Sequence, residues 1–156
     1  MSDVQREHTR LAEDVWRAHA TELVRYATLL VGPSDAADVV SIAFSNAAGR
    51  LEHVENVRGY LLRAVTTTVF DQRRSARRRQ IRDLHAVLPA VSPAAGADGD
   101  VRRAVAALSV QQRAVVYFTY WQDLTSDQTA ELLGLAPATV RRHLARARLH
   151  LRKALT

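Results

Sequence analysis

The sequence predicts an all-α chain: two small helical domains joined by a flexible linker. Three observations carry that expectation. Helix formers are abundant, with 26 Ala and 21 Arg among 156 residues, and strand-like alternation is scarce. Apolar residues recur every three or four positions in both halves of the chain. Between the halves lies HAVLPAVSPAAGADGD, residues 85–100, which holds Pro89, Pro93, Gly96 and Gly99 and no Arg or Lys. That composition marks a linker, leaving an N-terminal domain at 1–84 and a C-terminal domain at 101–156.

In the first domain, Leu11 and Val15, then Leu23, Tyr26, Ala27 and Leu30, fall at helical spacing, and Gly32-Pro33 ends the segment. Ser34 is placed to cap a second helix, with Asp35 and Asp38 near its positive end and Gly49 as its stop. A third helix is expected from Asn56 through Val57, Leu61, Ala64, Val65 and Val69 toward Arg79. After the linker, helical segments are expected near 101–108, 110–122, 126–133 and 137–154.

The last two segments form a specific pattern. Thr125 followed by Gln128 makes a capping box. Ala130 and Leu133 give the short helix an apolar face. Gly134 supplies the left-handed residue that a tight turn needs. Pro137 suits a first helical turn, and Ala136 before it is a poor N-cap. At about 100° per residue, Val140, Leu144, Ala147 and Leu151 form one seam. The far side carries Ala138, Thr139, Arg142, Ala145 and Arg146, with Arg141 on the flank. This is a helix-turn-helix whose second helix offers an Arg-bearing face to a major groove. The N-terminal half of that helix is expected at base edges, with Arg148, Arg152 and Lys153 at phosphate or solvent.

Charge agrees with that reading. The formal net charge is +6 and the pI near 10.7. Lys153 is the one Lys among 22 cations, and Arg forks match phosphates and base edges better than Lys does. Residues 1–84 hold 13 Arg against 11 acids, whereas residues 101–156 hold nine cations against three. A second basic run, Arg73, Arg74, Arg77, Arg78, Arg79 and Arg82, ends the third helix. It either complements the negative end of that helix or tracks phosphates. Basic elements on both domains suggest two linked contacts on one DNA. Trp16, Tyr117, Phe118, Tyr120 and Trp121 are expected to pack inside, while Phe44 and Tyr60 suit either a core or a contact.

Other function classes are poorly served. The absence of Cys excludes disulfides and thiolate chemistry. No apolar run approaches the roughly 18 residues of a membrane span. The start, MSDVQREHTRLAEDVWR, lacks an apolar signal core, so a soluble cytoplasmic protein with no membrane partner is expected. Gly-rich phosphate loops and the His-Glu-x-x-His pattern are absent. His143 and His150 stand on the order of 10 Å apart along one helix, too far to chelate one ion directly. No catalytic residue, metal or cofactor is expected.

Three segments carry a family resemblance over nearly the whole chain. AALSVQQRAVVYFTYWQDLTSDQTAELLGLAPATVRRHLARARLHLRKAL resembles the promoter-binding domain of the extracytoplasmic-function sigma factors. DAADVVSIAF is similar to their core-polymerase-binding segment, and VRGYLLRAVTTTVFDQRRSARRR to their melting and upstream-recognition helix. The resemblance implies an all-helical, non-enzymatic subunit that binds bacterial RNA polymerase core, directs it to promoter DNA and helps open the duplex. It implies Ala138, Thr139, Arg141, Arg142 and Arg146 at the minus-thirty-five element. It places Asn56, Tyr60, Thr67, Arg73, Arg74, Arg77 and Arg78 at the minus-ten region, with EHVENVRG, residues 52–59, as the loop holding a flipped base. Asp35, Asp38, Val39 and Phe44 fall on the polymerase-binding surface, which an anti-sigma factor would mask. Departures are Ser41 and Ile42 where the family usually has Gln-Glu, Thr67 where Asn is frequent, and Tyr60 in place of a Trp. They imply altered core docking and an altered minus-ten preference. Two rival readings stand beside this one: a stand-alone helix-turn-helix regulator, and a sigma-like protein that titrates a partner.

Overall fold

The computed structural model describes residues 2–82 and 97–156. Among the described residues every regular element is a helix, as the sequence predicts. Contacts group the chain into two compact units, Met1–Ser75 and Ala76–Thr156. The division falls inside the third helix, earlier than residue 84. Of the expected linker, residues 85–96 lie outside the described residues. A helix opens at residue 97, within the expected linker, and Asp100 pairs there with Arg103 one turn on.

The first unit begins with α1 (Asp3–Val31), α2 (Pro33–Ala47) and a 3₁₀ turn (Ala48–His53), and takes in most of α3 (Val57–Arg82). Its core is built from Leu23, Tyr26 and Leu30 on α1, Val39, Val40 and Ala43 on α2, and Leu61, Leu62, Val65 and Val69 on α3. Val39 is 1% exposed, so its side chain belongs to this core and cannot be offered to polymerase. The Tyr26 and Thr66 hydroxyls, both buried, lie 2.7 Å apart. Thr66 donates its proton to Leu62 O at 2.8 Å, so Tyr26 is the donor between them. At the surface, the Arg58 guanidinium grips the Glu22 carboxylate through Nε at 2.9 Å and through Nη2.

Several boundaries differ from expectation. Gly32, at φ 86°, is the N-cap of α2, and Pro33 fills its first position, so Ser34 does not cap it. Gly49 does not stop the chain's coiling. It lies within the 3₁₀ turn, which tucks Leu51 into the core at 3% exposure. The expected loop 52–59 therefore shrinks to Val54–Asn56, because His53 closes one helix and Val57 starts the next. There Asn56 Oδ1 accepts from Gly59 N–H at 2.9 Å. A Cβ on residue 59 would come within 2.6 Å of the Asn56 amide nitrogen, so a larger residue there would push that side chain aside.

The second unit contains α4 (Ala97–Ala106), α5 (Val110–Val116), a π turn (Tyr117–Trp121), α6 (Ser126–Leu133) and α7 (Pro137–Ala154). The expected 110–122 helix is thus interrupted. Gln122 N–H reaches five residues back to Tyr117 O at 3.3 Å. The wider turn keeps Tyr117 and Phe118 inside at 8% and 0% exposure. It turns Tyr120 and Trp121 outward at 51% and 75%. Those two are not core residues as expected, and neither is Trp16, 37% exposed. Asp123 follows at φ 51°, a left-handed conformation that Asp tolerates better than most side chains. No helix among the described residues is long and apolar enough to cross a membrane.

Candidate nucleic-acid interface

The helix-turn-helix forms from local chemistry. Thr125 Oγ1 accepts from Gln128 N–H at 3.1 Å, and Gln128 Oε1 accepts from Thr125 N–H at 2.9 Å. Two of the orphan donors at the start of α6 are thereby satisfied. A second box, Ser109 with Gln112, starts α5 in the same way; the same Ser-x-x-Gln spacing was there to be found. Gly134 takes φ 67° and ψ 33°, and Leu135 N–H closes the turn on Ala130 O at 2.9 Å. Ala136 caps α7 without a side-chain bond, and Pro137 begins the helix.

The faces of α7 sort as expected on the inner side. Val140 and Leu144 pack with Val115 and Ala130 in one cluster, bordered by Val116, Leu133 and Leu135. Ala147 is also fully buried, whereas Leu151 is only half-buried. On the outer side Ala138, Arg141, Arg142, Ala145 and Arg146 are exposed, and Thr139 is half-buried. Arg141 Nη1 stands 3.8 Å from Asp127 Oδ1 on α6. Arg148 is engaged differently: its Nε donates to the Tyr120 hydroxyl at 2.7 Å, and the guanidinium carbon lies 5.7 Å from that ring's centroid. His143 sits between Arg142 and Arg146. Partial burial, then repulsion from the two guanidinium groups, lowers its pKa below 6.5.

In the first unit the proposed contact residues spread over three places. Asn56 is exposed at the start of α3. Tyr60 and Thr67 lie along α3 and share an open cleft with α2, of about 220 Å³. Arg73, Arg74, Arg77 and Arg78 are exposed farther along α3, and partial desolvation lowers the pKa of Arg73. Asp35 and Asp38 are exposed on α2. Phe44 is half-buried and meets Trp16 edge-on, with ring centroids 5.0 Å apart. The cleft also brings in Asn46, Arg63 and Asp71, which no spacing rule singled out. Among the described residues no group of three or more His, Asp or Glu is placed to hold a metal ion.

Comparison with known proteins agrees with this geometry. The family described as Sigma-70, region 4, matches residues 98–151, which include α5, α6 and most of α7. The ECF RNA polymerase sigma factor SigM of Mycobacterium tuberculosis is 32% identical over 149 residues, covering 92% of this chain and 76% of the relative. The RNA polymerase sigma-E factor of Streptomyces coelicolor is 28% identical over 150 residues, covering 92% of this chain and 85% of the relative. Among solved structures, the sigma factor RpoE of Bartonella quintana, crystallised with the anti-sigma factor NepR, aligns with a TM-score of 0.75 at 20% identity. That alignment covers 92% of this chain and 95% of RpoE. CnrH, in complex with the cytosolic domain of CnrY, aligns with a TM-score of 0.61 at 22% identity, over 94% of this chain and 88% of CnrH. These two structural likenesses speak for the fold.

Proposed function

The chain belongs to the extracytoplasmic-function sigma factors of bacterial RNA polymerase, and from that premise we propose how its two units divide the work. A sigma factor binds the polymerase core and directs promoter-specific initiation. The second unit reads the minus-thirty-five element through α7. Ala138 and Thr139 approach bases at its N-terminal end, and Arg141, Arg142 and Arg146 reach base edges or phosphates. The first unit takes the minus-ten region. Thr67 and Tyr60 meet an unstacked base, Asn56 holds the entry to α3, and Arg73, Arg74, Arg77 and Arg78 follow the phosphates. Asp35 and Asp38 on the exposed face of α2, with Phe44 beside Trp16, dock on polymerase. Val39 supports that face from beneath.

The single observation that carries this reading is the α7 surface: a fully apolar seam inside and three exposed arginines outside, held by a capped, Gly-turned partner helix. No chemistry from side chains is required. Extruding a base costs on the order of a few kcal/mol, which stacking and phosphate contacts offset. The protein acts without catalysis of its own, in the cytoplasm, and an anti-sigma factor that covers the α2 face holds it inactive. The relatives are themselves sigma factors, so nothing favours the stand-alone regulator.

The test is transcription from a genomic promoter pool by purified bacterial core polymerase, with and without this chain. New, discrete starts sharing two spaced motifs are expected. Unchanged starts together with no core binding would overturn the reading.

A further inference from the structure

Two ion pairs tie α1 to the stretch of chain that opens α3, one at each end of that stretch. At one end His8 Nε2 stands 3.1 Å from Glu52 Oε1 in the 3₁₀ turn. At the other, the Glu22 carboxylate takes the Arg58 guanidinium in the first turn of α3. His8 and Glu22 lie about 21 Å apart along the axis of α1. Between the two ties comes the turn Val54–Asn56, and with it the Asn56 side chain bonded to Gly59 N–H.

The ties differ in chemistry. A guanidinium stays charged at every pH a protein meets, and an imidazole does not. His8 Nδ1 lies 2.8 Å from Val4 O, so both ring nitrogens face acceptors, a carbonyl and a carboxylate. A neutral ring has one N–H and one lone pair. Whichever tautomer it takes, one of the two contacts becomes a lone pair set against an oxygen. Only the imidazolium donates to both at once.

We infer that α1 splints the turn that opens α3, that His8 is a positioning residue in that splint, and that the splint holds while His8 carries two ring protons and slackens when it loses one. This rests on the sigma reading, in which the turn delivers Asn56 to the minus-ten region, and it puts that delivery under the control of a proton. The charges around His8 leave Glu52 as its partner. The 3₁₀ turn brings Arg50, Glu52 and His53. The first turns of α1 carry Asp3, Arg6, Glu7 and Arg10, with Arg6 Nη1 3.7 Å from Asp3 Oδ1. α2, which packs on both, has only Asp35 and Asp38. α3 meets α1 farther along, through Arg58 with Glu22 and Thr66 with Tyr26.

The experiment uses core polymerase reconstituted with the full chain. The probe is a forked DNA with a single-stranded non-template overhang of randomised sequence. Its retention is titrated at fixed ionic strength between pH 6 and pH 8, within the interval where histidine ordinarily changes charge. His8→Arg keeps a donor for Glu52 throughout and serves as the reference on the same core. Relative to it, the unaltered chain is expected to lose affinity about two- to fivefold as the pH rises, the span of one exposed ion pair. Glu52→Gln should show no such loss and bind at the weaker level throughout. Glu22→Gln cuts the tie that does not titrate, so it should weaken retention at every pH alike and leave the slope in place. Duplex binding should show no pH difference between His8→Arg and the unaltered chain. Parallel fork profiles for those two proteins would overturn the inference, as would an equal pH difference on duplex DNA. Failure of the unaltered chain to retain any fork at either pH would overturn the sigma reading itself, and the inference with it.

Discussion

The two units build their candidate nucleic-acid surfaces in opposite ways. In the second, a single helix carries everything: the buried seam and the arginine face of α7 come from one stretch of chain, and its partner helix is fixed by bonds three residues long. In the first, the cleft exists only because α2 and α3 lie side by side; Asn46 and Thr67 belong to different helices. A one-helix surface survives so long as its helix is docked. A two-helix cleft depends on every residue that sets the spacing between its walls. The two-helix cleft ties recognition to the core, and the one-helix surface frees it.

Core substitution gives the largest test of that difference. Leu30, on α1, is fully buried in the core of the first unit. Leu30→Ala is expected to cost about 2–5 kcal/mol, measured by urea unfolding. Single-strand recognition should fail with it while duplex binding by the second unit persists. Equal loss of both activities would erase the distinction.

A smaller effect is expected at the arginines. Arg142 is exposed and no intramolecular partner holds it among the described residues, whereas Arg148 is bonded to Tyr120. Arg142→Ala should weaken binding to the upstream element by about 1–3 kcal/mol and leave thermal stability nearly unchanged. Arg148→Ala should do the reverse, lowering the melting temperature more than the affinity. Fluorescence anisotropy and calorimetry on both variants decide it.

Smaller still is the cap. Thr125→Ala removes one acceptor from the start of α6 and is expected to cost about 1 kcal/mol. Chemical denaturation should register the loss in the second unit alone.

The slightest effect is a pH slope. His143 has a folded pKa below its unfolded 6.5, so the unfolded chain binds the proton first. Its contribution to stability is therefore complete above that value and falls away as the pH drops through it. Between pH 8 and pH 5.5 the unaltered chain should lose more stability than His143→Asn, compared by urea midpoints; parallel curves would refute the assignment.

The same contrast explains what could be read from sequence. The helix-turn-helix was legible almost to the residue because Thr125, Gln128, Gly134 and Pro137 act over one turn of chain. The all-helical class followed from apolar spacing. The cleft was not legible, since nothing in the spacing of Asn46, Thr67 and Asp71 says that α2 and α3 will meet there. Tyr120 and Trp121 were misplaced for a different reason. A fixed 3.6-residue period cannot register the extra residue of a π turn, which leaves Tyr120 and Trp121 exposed where that period would turn them inward. Val39 was assigned outward by resemblance, although Ala36, Val40 and Ala43 at helical spacing mark its side of α2 as buried.

The ion pair between Arg141 and Asp127 has a consequence for how salt governs binding. An arginine that meets a phosphate ordinarily displaces a cation condensed on the DNA, and each such release steepens the dependence of affinity on ionic strength. Arg141 has a second ledger. Joining a phosphate draws it away from the field of a carboxylate 3.8 Å off, so part of its contact is an exchange of one anion for another. Added salt weakens the pair being left as well as the pair being formed. The two screenings oppose each other, and a count of DNA contacts taken from the salt slope of this protein will fall short of the number of arginines on the helix.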